Sequence, residues 1–180
     1  VQDQKSGLKN FPVQTTSFIG RETEINTILG LVKTHRIVSL VGTGGCGKTR
    51  LACEAISKLK NGYSGGIWFV PLTPVESEEL VVKQVMSTLE IAEVPGKEMT
   101  EVLIEKIRDR NLLILLDNCE HLLSACAQLS GILIRSVPGL SIIATSREAL
   151  NISGEKVWYI PPLSLVDPES VVDVEDANRS

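Results

Sequence analysis

Gly42-Thr43-Gly44-Gly45-Cys46-Gly47-Lys48-Thr49 directly follows the apolar run Ile37-Val38-Ser39-Leu40-Val41 and precedes Leu51, Ala52, Ala55, Ile56 and Leu59, which share one helical face. Strand, glycine-rich turn and helix in that order, with Lys-Thr closing the turn, read as a phosphate-binding loop. Side chains at the glycine positions would block the backbone amides from curling around a triphosphate. The helix that follows turns its positive dipole end toward the anion. Lys48 supplies a point charge for the β- and γ-phosphates, and the Thr49 hydroxyl is placed to ligate Mg²⁺. The expected nucleotide contacts therefore run from Gly42 and Thr43 through Gly44, Gly45, Cys46, Gly47, Lys48 and Thr49 to Arg50.

Working outward, strands and helices alternate. Phe18-Ile19-Gly20-Arg21-Glu22 leads into Ile25, Ile28, Leu29 and Val32, a helical face at i, i+3, i+4, i+7. After the loop and its helix comes Ile67-Trp68-Phe69-Val70, a strand stopped by Pro71 and Pro74. Ser77-Glu78-Glu79 reads as an N-cap with acids in the first turn, opening a helix of about four turns through Leu80, Val81, Val85, Met86 and Leu89. Thr100 to Asp109 carries a further short helix. Leu112-Leu113-Ile114-Leu115-Leu116 is apolar without interruption, as a central strand covered on both faces must be, and it delivers Asp117 at its end. A helix from about Glu120 to Ser136, a strand Leu140-Ser141-Ile142-Ile143-Ala144 ending in Thr145-Ser146-Arg147, and a last strand Val157-Trp158-Tyr159-Ile160 complete the pattern. Such alternation predicts an α/β fold with a doubly wound parallel sheet of about five strands flanked by helices. Residues 1–17 form an extended lead-in, residues 18–165 the nucleotide-binding domain, and residues 166–180 an acidic tail or the opening of a following domain.

Composition agrees with that class and narrows the partners. The chain of 180 residues is 43% hydrophobic but only 4% aromatic, so Val, Ile, Leu and Ala must build the core. With 18 basic against 22 acidic residues the formal charge is −4, and no Lys/Arg run marks a nucleic-acid or anionic-membrane surface on this segment. The four cysteines, Cys46, Cys53, Cys119 and Cys126, form no C-x-x-C pair and read as reduced thiols of a cytoplasmic protein. No apolar run is long enough to span a bilayer.

In a doubly wound sheet, ligands bind beyond the C-terminal strand ends, where the loop, Asp117 and Arg147 all fall. Asp117 is the expected acidic partner of the loop, holding Mg²⁺ directly or through water. Arg147 can reach a γ-phosphate and so tell ATP from ADP, or it can form an ion pair with Glu148 or Glu155. Many loop-type ATPases follow the metal aspartate with a second acid, but here Asn118 follows and cannot act as a base. Glu120 and His121 are the nearest candidates to position water, with helix capping and a surface position as their alternatives, and slow turnover is expected.

Together these stretches resemble the STAND class of signal-transduction NTPases, and especially the NB-ARC-like ATPase domain of large bacterial LuxR-type transcriptional regulators. Thr16 to Glu22, Val41 to Ala52, Leu115 to Leu123 and Ala144 to Glu148 carry the resemblance, which covers about residues 11–165. It implies that Phe18, Ile19, Gly20 and Arg21 pack beside the adenine, that Arg147 is a sensor arginine, and that the strand order is 5-1-4-3-2. It also implies ATP/ADP and Mg²⁺ as ligands, lid and sensor domains outside this segment, and ATP-dependent self-association. The expected function is an ATP/ADP-dependent regulatory switch with slow hydrolysis, in which Lys48, Asp117, Arg147 and Glu120 are the catalytic candidates. A mechanical or phosphotransfer ATPase and a non-hydrolysing nucleotide-binding scaffold are the alternatives.

Overall fold

The structure is a computed structural model that describes residues 7–13, 20–59 and 62–161. Phe18 and Ile19, expected beside the adenine, lie outside the described residues, as does the segment 166–180.

One parallel sheet organises the chain. Its strands are β1 (Leu8–Lys9), β2 (Ile37–Val41), β3 (Ile67–Pro71), β4 (Leu112–Asp117), β5 (Leu140–Ser146) and β6 (Glu155–Tyr159), in the order β1-β3-β4-β5-β2-β6. All five neighbouring pairs are parallel. Leaving out β1, the order is the 5-1-4-3-2 that the resemblance implies. The sixth strand comes from the expected lead-in: Leu8 and Lys9 pair with Ile67 and Trp68. Asn10, at φ 61°, turns its amide to donate to the Phe69 carbonyl at 3.1 Å, and the Phe11 and Phe69 rings lie 5.7 Å apart. Two residues without an alternating pattern give no strand signature, which is why only contact with β3 reveals them.

Among the described residues, five helices cover the sheet: α1 (Glu22–Thr34), α2 (Lys48–Ser57), α3 (Leu80–Thr88), α4 (Met99–Ile107) and α5 (Leu123–Ser136). The pleat of β4 shows why its run is apolar throughout. Leu112, Ile114 and Leu116 pack into one core with Val85, Leu103 and Leu129 of α3, α4 and α5, while Leu113 and Leu115 enter a second core with Ile28, Leu51 and Ile56 of α1 and α2. Each strand side chain that leaves water in this way contributes about 1.5–3 kcal/mol. Two apolar layers thus hold the C-terminal ends of β2, β4 and β5 in fixed relation.

Three boundaries differ from the sequence expectation. Before α3, i to i+3 hydrogen bonds from Leu80 to Ser77 and from Val81 to Glu78 form a tighter turn, so the helix proper is nine residues and Glu79, not Ser77, stands at its cap position. The Ser77 side chain hydrogen-bonds the Glu79 carboxyl instead, which lowers that carboxyl below its ordinary range. The helix expected from Glu120 is a 3₁₀ turn over Cys119–His121 followed by α5, because Leu122 (φ −131°) breaks the spiral between them. The last strand begins at Glu155, where register with Ile37 of β2 starts its pairing.

Candidate functional site

β2 ends at Val41, and the loop that follows returns the chain to α2 through Gly47 at φ 85°, a left-handed conformation that side chains disfavour. The first bond of α2 runs from the Leu51 amide to the Gly47 carbonyl at 2.9 Å, so the amides of its first turn point out of the helix toward the loop. Lys48 is buried and its ammonium donates to the Gly42 and Thr43 carbonyls, each at 2.9 Å. The lysine is therefore held under the loop rather than extended into solvent.

Asp117, at the end of β4, is 8% exposed. Its Oδ1 accepts from the Thr49 hydroxyl at 2.6 Å and from the Thr145 hydroxyl at 2.7 Å, while Thr145 in turn accepts from the Asn118 amide at 2.9 Å. Three strand ends are thereby joined, because Thr49 lies beyond β2, Asp117 ends β4 with Asn118 next to it, and Thr145 belongs to β5. Thr145 carried no role in the sequence reading. Its only hint was a hydroxyl two residues before Arg147, at the end of a strand that the family order places beside that of Asp117. Asp117 also acts at a distance: burial first, then the Asp117 charge, pushes the Cys53 thiol from 9.0 up to about 12. A hydrogen bond with Cys126 and burial likewise raise the Cys119 thiol. All four cysteines are buried and free, and among the described residues no group of three or more His, Cys, Asp or Glu side chains could hold a metal. Thr49 and Asp117 present two hard oxygen donors beside the loop.

Arg147 forms its ion pair with neither Glu148 nor Glu155. Its Nε lies 3.2 Å from Glu120 Oε1, and Glu155 instead accepts from the Leu150 and Ile152 amides. The guanidinium also lies over the loop: a Cβ on Gly44 would come 3.3 Å from Arg147 Nη2. A cleft of about 340 Å³ opens between them, lined by Gly44, Gly45, Gly47, Lys48, Thr49, Arg50, Asn118, Glu120, Thr145 and Arg147. A larger cavity of about 550 Å³ lies at the opposite ends of the strands, among Thr34, His35, Arg36 and Asn111, far from these groups.

Other expected site residues stand behind the cleft. Gly42 and Thr43 give their carbonyls to Lys48, and the Cys46 carbonyl accepts from Arg21 Nη1 at 3.2 Å. Arg21, at φ 62° directly after Gly20 at φ 79°, also donates to the Pro161 carbonyl at 3.2 Å, tying the segment before α1 to the loop and to the chain beyond β6. His121 is turned away: its Nε2 lies 3.1 Å from the Val75 carbonyl and its Nδ1 lies 3.4 Å from Asn118 Nδ2, so a proton on Nε2 satisfies both. Of the two candidates to position water, only Glu120 faces the cleft.

The family model of the NB-ARC domain matches residues 21–156. Uncharacterized protein Rv0894 of Mycobacterium tuberculosis is 37% identical over 164 residues, covering 91% of this chain and 42% of its own length. Rv0890c of the same organism, named as a candidate HTH-type transcriptional regulator, is 38% identical over 149 residues, covering 83% of this chain and 17% of its own. The chain thus spans about two-fifths or less of the curated relatives it matches. Among solved structures, a Signal Transduction ATPase with Numerous Domains carrying a tetratricopeptide repeat sensor, from Pyrococcus horikoshii, superposes with a TM-score of 0.56 at 20% identity, over 79% of this chain and 23% of that one. Cdc6p from Pyrobaculum aerophilum gives 0.55 at 13% identity, over 76% and 44% respectively. Both show the fold that is shared.

Proposed function

The chain belongs to the NB-ARC domain family, whose members bind nucleotide, and from that premise we propose that it is the ATP/ADP-binding part of a signal-transduction NTPase. In this reading it acts as a regulatory switch that hydrolyses ATP slowly. The observation that carries it is the convergence of Lys48, Thr49 and Arg147 on one cleft bordered by glycines, with Asp117 hydrogen-bonded to Thr49 beside it. Glycine backbone, a buried ammonium and a guanidinium over the loop fit a polyphosphate. The Thr49 hydroxyl and the Asp117 carboxylate, hard oxygens 2.6 Å apart, fit Mg²⁺, which takes one or two protein oxygens and completes its shell with phosphate and water. When bound, that ion would neutralise phosphate charge.

Each residue then has a physical task. Lys48 holds the phosphates as a point charge, Thr145 fixes the rotamer of Asp117, and Arg147 makes contacts that ADP cannot offer. A switch needs such differential contact, because a ligand that meets two states equally shifts nothing. Arg21 links the loop to the residues after β6, so changes at the loop can pass to domains that follow. The relatives' greater length supports further domains outside this segment, which in this reading are the lid, sensor and output parts, make any DNA contact and self-associate with ATP. Asn118 in place of a second acid favours slow turnover, and it equally suits a scaffold that never hydrolyses.

Titration of the full chain with ATP and ADP tests the reading. Loss of charge-assisted hydrogen bonds worth about 1.5–3 kcal/mol predicts that Lys48→Ala weakens both nucleotides by about 10- to 150-fold. Arg147→Ala should weaken ATP alone. Unchanged binding by Lys48→Ala would remove the nucleotide site itself, and steady turnover near about 10 per second would mark a working enzyme rather than a switch.

A further inference from the structure

We propose that Glu120 competes with the γ-phosphate for Arg147, which makes Glu120 the residue that sets the preference between ATP and ADP. This inference rests on the reading of Arg147 as the group that tells the two nucleotides apart.

The two side chains come from neighbouring strand ends. Glu120 sits in the 3₁₀ turn after β4, Arg147 directly after β5, and both line the cleft beside Gly44 and Lys48. The guanidinium faces two ways, with Nε 3.2 Å from Glu120 Oε1 and Nη2 over Gly44. Passing from the carboxylate to a phosphate in the loop therefore asks for side-chain rotation and no backbone movement.

The hold of Glu120 on Arg147 is of the exchangeable kind. It is made through one oxygen, whereas Glu120 Oε2 is buried and has no hydrogen-bond partner among the described residues. Arg147 is 64% exposed, so water screens the pair. A terminal phosphate offers more charge and several acceptor oxygens to the planar fork, and forked contacts of that type are stronger than a single-point ion pair. ADP lacks that group, so Glu120 keeps Arg147. Breaking the pair subtracts from the affinity for ATP and leaves that for ADP untouched, which is how an acid touching neither nucleotide can tune their ratio.

The test is a double-mutant cycle in the full chain, with ATP and ADP affinities measured by titration calorimetry for wild type, Glu120→Gln, Arg147→Ala and the double variant. Glu120→Gln should raise the ATP:ADP affinity ratio about two- to five-fold, the scale of an exposed ion pair. In the Arg147→Ala background the same change should leave the ratio alone. An unchanged ratio in Glu120→Gln overturns the inference, and so does an equal rise in both backgrounds, which would be the plain field of a carboxylate on a phosphate. If Arg147→Ala itself leaves the ratio unchanged, the reading of Arg147 falls and the inference with it. If Arg147→Ala lowers the ratio while Glu120→Gln does not move it, the inference alone falls. Circular dichroism checks folding, and Glu120→Asp gives an independent readout: it keeps the charge, shortens the reach, and should also raise the ratio.

Discussion

Thr145→Val removes one hydroxyl and keeps the shape of the side chain, so it isolates the junction of three strand ends. In the native chain that hydroxyl donates to Asp117 Oδ1 at 2.7 Å and accepts from the Asn118 amide at 2.9 Å, at a residue only 1% exposed. A hydrogen bond to a charged acceptor is worth about 1.5–3 kcal/mol, and stranding a buried amide costs about 1–3 kcal/mol. The two losses share one atom and are not additive, which puts the expected destabilisation at about 2–4 kcal/mol. For a domain of this size that corresponds to a fall in Tm of about 5–15 °C. Urea unfolding monitored by circular dichroism measures it, with an unchanged m-value showing that the native state alone was perturbed. Thr145→Ser, which restores the hydroxyl, should recover most of the loss. If Thr145→Val unfolds within about 0.5 kcal/mol of wild type, as an ordinary surface change would, the hydroxyl does not hold Asp117 and the account of the site's rigidity is wrong.

Leu115→Ala, at a fully buried position of β4, should cost about 2–5 kcal/mol in the same unfolding assay, because the second core cannot close over the cavity. Gly44→Ala meets only the exposed end of Arg147 and has no positive φ to strain; stability should change by less than about 0.5 kcal/mol, while calorimetry finds ATP affinity falling more than ADP affinity as the guanidinium is displaced. Cys53 makes a prediction in pH. Its thiol titrates at about 12 when folded against 9.0 as the reference, so the native state holds a proton that the unfolded chain has released. Its contribution is complete below pH 9.0 and is lost as pH rises toward 12, and melting scans of Cys53→Ala should show a shallower decline across that window.

The features legible in the sequence are those that one segment carries whole. An uninterrupted apolar run such as Leu112 to Leu116 needs no partner to say that both its faces are covered, and glycine spacing before Lys48 needs none to say that a tight loop joins strand to helix. Features that exist only between segments were out of reach. Leu8 and Lys9 become a strand only because β3 lies beside them. Ser77 loses its cap position because a tighter i to i+3 turn precedes the helix. The partner of Arg147 is Glu120, 27 residues earlier, because β4 and β5 are neighbours in the sheet, whereas the sequence suggested acids close to it in the chain. Thr145 was hidden for the same reason, since a hydroxyl at a strand end acquires meaning only from what stands at the end of the next strand.

The place of β5 between β2 and β4 also governs when the site comes into being. The hydrogen bond from Thr49 to Asp117 spans the two flanking strands, and Thr145 of the inserted strand is its third member. While the chain is being made, the loop and the aspartate emerge first, but they have no fixed separation until residues 140–146 slide between them. Long-range strand pairing of this kind is slow to close. The junction of the three strand ends therefore cannot form before β5 has paired with both of its neighbours, whatever the state of the edge strands β1 and β6.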